Sequence, residues 1–63
     1  MIPAILRVGT QPSYPYWVYS KKALQNYKIG DRIMFRPQLM HGASWESGIV
    51  REIKSDMLIV ERF

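Results

Sequence analysis

The sequence predicts an all-β domain, a small five-stranded barrel, closed or half-closed. Short apolar segments alternate with tight Gly-, Pro- and Ser/Asp-containing turns along the whole 63 residues. The clearest unit is a hairpin, Trp45 to Lys54 and Met57 to Arg62 around the turn Ser55-Asp56. Closing such strands on themselves removes edges that would otherwise stay unpaired. With 48% hydrophobic residues and no cysteine, the chain must draw its stability from packing or self-association. A homo-oligomer is therefore one expectation.

Taken in order, Ile2 to Val8 reads as the first strand and Gly9 to Ser13 as a turn. Tyr14 to Tyr19 is an aromatic segment. Pro15 lacks the N–H a ladder needs, so this segment is expected to be an edge strand or an extended loop. Ser20 can cap a short helix or helical turn over 21–26, with Ala23, Leu24 and Tyr27 on its apolar face; a plain loop is the alternative. Ile29-Gly30-Asp31 then launches a strand, Arg32 to Arg36. Period-two alternation puts Ile33 and Phe35 on one face and Arg32, Met34 and Arg36 on the other. Pro37 ends this strand, and Gln38 to Ser44 is a loop. Gly48 in the next strand marks a bulge or a close backbone approach. In the last strand both faces carry apolar residues, so it is expected to be buried on two sides or to meet a partner.

The run Tyr27-Lys28-Ile29-Gly30-Asp31-Arg32-Ile33, then Gly48-Ile49-Val50-Arg51-Glu52-Ile53 and Met57-Leu58-Ile59-Val60-Glu61, resembles the core of SH3-like barrels. Tudor-like, KOW-type ribosomal and many phage or plasmid barrels share that pattern of a Gly-Asp strand opening, a Gly-x-Val hairpin and an apolar strand. The resemblance covers the second half of the chain. It implies a fold and leaves the activity open, because this superfold hosts unrelated functions. Gly30-Asp31-Arg32-Ile33, Gly42-Ala43-Ser44-Trp45 and Ile49-Val50 also look like the plasmid-encoded type II dihydrofolate reductases. That likeness would imply NADPH and folate as ligands. The Val-Gln-Ile-Tyr segment that lines the pore of those enzymes has no counterpart here, so the likeness stays at the level of fold.

Nine Lys/Arg against five Asp/Glu give a net charge of +4, which favours acidic partners but is also ordinary for a soluble small domain. No apolar run approaches the ~20 residues of a membrane span, and the N-terminal MIPAILRVG has no basic n-region or cleavage pattern. Absence of cysteine fits a reducing compartment, so a cytoplasmic protein is expected. His41 is the sole histidine; alone it builds no metal site, and beside Met40 and Gly42 it reads as a loop residue. The acids and serines show no catalytic pairing, and there is no Gly-rich phosphate loop. Neither catalysis nor a cofactor is expected.

Nucleic-acid binding has the better raw materials. Stacking bases requires exposed rings, and tracking a backbone requires cations beside them. The expected contacts are Lys21, Lys22, Arg32, Arg36 and Arg51 to phosphate, with stacking by Tyr16 and Tyr19. The plainer reading of the aromatic segment is that Trp17 and Tyr19 fill the barrel core, with Tyr16 and Val18 facing the opposite way. The competing function is protein recognition or assembly, with Tyr14, Tyr16 and Trp45 forming a peptide groove.

Overall fold

A computed structural model describes residues 1–63 and arranges five strands as a closed barrel in the order β1-β2-β3-β4-β5. They are β1 (Ile2–Val8), β2 (Tyr14–Val18), β3 (Arg32–Pro37), β4 (Glu46–Ile53) and β5 (Leu58–Arg62). Neighbours in sequence pair antiparallel, and β1 closes the barrel by pairing parallel with β5, Leu6 opposite Leu58 and Val8 opposite Val60. This is compatible with the SH3-like barrel. No helix is long and apolar enough to cross a membrane.

Alternation fills the interior. Leu6 and Val8, Tyr16 and Val18, Ile33 and Phe35, Val50, Leu58 and Val60 form the core, joined by Tyr27 from the β2–β3 connection. Phe35 is fully buried at the centre and meets the Tyr16 ring edge-on at 5.4 Å. Each such fully buried apolar side chain stabilises the fold by roughly 1.5–3 kcal/mol relative to exposure. Leu58, Ile59 and Val60 are all buried, so β5 is covered on both faces. On the outer face, Ile59 lies between Arg7 and Glu52 in the register.

Two expectations change. The Tyr14 segment is an interior strand with partners on both sides, not an edge. Pro15 is tolerated because β3 is ending beside it. The Pro15 carbonyl accepts from the Gln38 N–H at 3.1 Å, so its missing N–H points past the last ladder pair, Tyr16–Pro37. Of the two readings of the 21–26 segment, the helical turn is what forms. A single 3-10 turn spans Leu24–Asn26, because Ala23 is extended (φ −64, ψ 152). Ser20 spends its hydroxyl locally, accepting from the Lys22 N–H at 3.1 Å and donating to the Lys22 carbonyl at 2.8 Å.

The Gly30-Asp31 opening of β3 has a physical basis. Gly30 sits at φ +95, where other residues are strained, and its N–H reaches the Val50 carbonyl at 2.8 Å. The Val50 N–H returns to the Asp31 carbonyl at 2.9 Å, locking the turn onto β4. Gly48 is a close approach and not a bulge. A Cβ there would lie 2.6 Å from the Glu61 carbonyl oxygen and 2.7 Å from Val60 Cγ1. The bulge falls at Val50/Glu52.

Candidate nucleic-acid interface

Because Phe35 points inward, Arg32, Met34 and Arg36 point outward along β3. What surrounds them is fixed by register. Trp17 of β2 stands opposite Arg36, and the Tyr19 N–H donates to the Met34 carbonyl at 3.0 Å. On the other side Glu46 of β4 stands opposite Phe35, which puts Trp45 next to Arg36. Tyr19 and Trp45 therefore flank β3 from opposite sides. Their rings meet above it with centroids 5.5 Å apart and planes at 79°. The Arg36 guanidinium carbon lies 5.4 Å from the Trp45 ring centroid, within cation–π range.

Arg36 has no carboxylate partner among the three ion pairs of the structure, and its buried Nε has no hydrogen-bond acceptor. An indole face compensates a guanidinium only partly, and an unmet donor is costly. Of its nearest companions, Tyr19 is 62% and Met34 39% exposed. Trp17 and Trp45 are half-buried. The result is a cation lying against an indole, among accessible aromatic and thioether groups on one sheet face.

The other expected cations differ in what holds them. Arg32 occupies the far end of the same outer row, its guanidinium carbon 4.8 Å from the Phe63 ring centroid. Lys21 is exposed and makes no ion pair. Lys22 is engaged: its Nζ lies 3.0 Å from Asp31 Oδ2 and 4.5 Å from the Tyr27 ring centroid. Arg51 is engaged as well, with Nη2 2.7 Å from Glu61 Oε1. The Asp31 carboxyl is held below the ordinary carboxylate range, first by the Lys28 backbone N–H and then by the Lys22 ammonium.

Tyr16 and Tyr19 do not share a face, and it is Tyr16 with Val18, not Trp17 with Tyr19, that fills the core. The two tyrosines are an odd number of residues apart, and Tyr16 is 4% exposed inside the core, so its ring faces are closed to a base. Its hydroxyl pKa is raised, chiefly by burial. Tyr14, Tyr16 and Trp45 likewise do not form one groove. Tyr14 and Tyr16 pack edge to face at 5.6 Å at one mouth of the barrel, whereas Trp45 lies outside against Tyr19. Beside that mouth is a cleft of about 460 Å³ where Arg62 Nε meets Glu46 Oε1 at 2.6 Å. That contact holds Arg62 firmly in its charged form.

Trp17 and Met34 join the outer cluster by alternation, Met34 on the outer row of β3 with Arg32 and Arg36, and Trp17 opposite Arg36 in the register. A second and larger cleft, about 710 Å³, opens where β5 has not yet joined β1, between Pro3, Ile5 and Pro15 on one side and Ile53 and Met57 on the other. No cluster of His, Asp and Glu is arranged to hold a metal ion. No protein-family model, curated protein or solved structure matches the chain.

Proposed function

We propose that this protein is a non-enzymatic module that binds nucleic acid through the outer face of β2, β3 and the start of β4. The observation that carries the reading is Arg36, placed against Trp45 without a carboxylate partner, beside the exposed Tyr19 ring. Arg36, Arg32 and Lys21 contact phosphate, and Tyr19 supplies the stacking face. Lys22 and Arg51 contribute less, because each already faces a carboxylate.

The three proposed phosphate contacts that are free of ion pairs define a measurable signature. Releasing counterions from about three phosphates gives a slope of log K against log salt of roughly −2 to −3. Anisotropy titrations of labelled DNA and RNA oligonucleotides at low salt read it directly. Arg36→Ala weakens binding and flattens the slope by about one phosphate's worth. Absence of binding to any DNA or RNA at low salt overturns the proposal.

A second reading, a protein-assembly module, is favoured by the larger cleft, where Ile5 (44%) and Ile53 (42%) are exposed among proline and methionine side chains. Its discriminator is the absorbance ratio at about 260 and 280 nm of the purified protein, where stacked nucleic acid and a protein partner separate.

A further inference from the structure

We infer that the occupant of the Arg36 face is single-stranded, with a base stacked on Tyr19, and not the interior of a duplex. The inference rests on the nucleic-acid reading and narrows it. Three features of the face lead to it.

The first is the aromatic geometry. Tyr19 and Trp45 meet at 79°, so their contact covers the face of only one ring. Tyr19 keeps 62% of its surface open. A duplex hides base faces within its stack and presents edges and phosphates, whereas an unpaired strand offers the faces themselves.

The second is the number of cations. Duplex binding driven by phosphate contacts alone draws on many neutralised phosphates, on the order of six to ten where affinity depends steeply on salt. Of the five expected contacts only Arg36, Arg32 and Lys21 lack ion-pair partners, since Lys22 and Arg51 face Asp31 and Glu61; the other unpaired cations are Arg7 in β1, Lys28 before Gly30 and Lys54 at the larger cleft, outside the outer row of β3. Stacking must supply the remainder, and each stacked base is worth roughly 5- to 150-fold in affinity.

The third is shape. No helix is available to enter a major groove, and the strands are closed into a barrel and not free as a two-stranded ribbon; the single helical element is the 3-residue turn Leu24–Asn26, whose Leu24 and Gln25 line the larger cleft. Arg32 and Arg36 instead lie on one outer row of β3, four residues or ~13 Å apart. One strand laid along that row can place a phosphate near each arginine with a base on the ring beside Met34.

The test compares an oligonucleotide of about 12 thymidines or uridines with the same strand paired to its complement, at equal low salt. Anisotropy gives affinity, and the fluorescence of Trp17 and Trp45, the two tryptophans, reports on the face itself. The single strand is expected to bind at least about tenfold tighter than the duplex and to quench the tryptophans. Tyr19→Ala should lower single-strand affinity at least about fivefold while leaving duplex affinity within about twofold, and Tyr19→Phe should retain it. Tyr19 is outside the core, so circular dichroism should show these variants folded. Equal or tighter duplex binding, or a Tyr19→Ala variant that holds the single strand as well as the parent, overturns the inference and leaves the nucleic-acid reading standing. No binding of either form removes both.

Discussion

Gly48→Ala isolates the closest approach in the barrel. Gly48 does not have a positive φ, so alanine meets no backbone penalty there; in an unstrained position the exchange would stabilise by about 0.4–1 kcal/mol through the unfolded chain. The added methyl, however, would lie 2.6 Å from the Glu61 carbonyl oxygen, 2.7 Å from Val60 Cγ1 and 3.2 Å from Phe35 Cε1. Comfortable carbon–carbon contact is about 3.5–4.0 Å. Neither neighbouring side chain can withdraw, since Val60 is 1% and Phe35 0% exposed, and the carbonyl belongs to β5, paired with β4 through Ile49–Glu61. Overpacking of this kind costs about 1–3 kcal/mol. Contact with fixed backbone places this case at the upper end, for a net loss of about 2 kcal/mol. A domain of 63 residues has a total stability of roughly 3–9 kcal/mol. The expected drop in Tm is about 8–16 °C, read by far-ultraviolet circular dichroism with a urea melt alongside. A variant melting within about 2 °C of the parent, or above it, would refute the packing of β3, β4 and β5 around this glycine.

Other predictions concern single contacts. Ile33→Val, at a position 1% exposed, should cost about 0.5–1.5 kcal/mol by cavity formation, with an unchanged urea m-value. For Asp31, the folded-state pKa lies below its ordinary value. Its stabilisation is therefore complete above about pH 4 and fades as pH falls through the lowered folded value. The Tm advantage of the parent over Asp31→Asn should shrink on acidification from about pH 6 to about pH 2; a constant difference would contradict the Lys28–Asp31–Lys22 arrangement. Arg51→Gln breaks an exposed ion pair and should change stability by less than about 1 kcal/mol. If nucleic acid occupies the outer face, the same variant should weaken binding less than Arg36→Ala, measured by anisotropy in parallel.

Much of the fold was legible because alternation and turn chemistry agree. The period-two pattern of Ile33 and Phe35, the Gly30-Asp31 opening and the Ser55-Asp56 hairpin each demand a particular local geometry. Their strands appear within a residue or so of the expected bounds. Pro15 misled because proline reports only a missing donor. Whether a strand is an edge depends on which partner faces that donor, and β3 ends there. The candidate site was legible in its residue types and less so in its assembly. Tyr16 and Tyr19 belong to one aromatic segment ahead of Lys21 and Lys22, but parity sends one into the core and the other outside. Lys22 and Arg51 look free in the sequence; Asp31 and Glu61 reach them only through pairings distant along the chain. Trp17 and Trp45 join Arg36 through the registers of β2 and β4, which composition does not encode.

The proposal that nucleic acid occupies the Arg36 face is tested most directly by mapping nuclear magnetic resonance shifts as a single-stranded oligonucleotide is added at low salt. The indole N–H signals of Trp17 and Trp45, the Arg36 Nε–H and the backbone amides of Tyr19 and Met34 should move together and saturate. Shifts gathered instead around Ile5, Ile53 and Met57, or no saturating shifts at all, would contradict it.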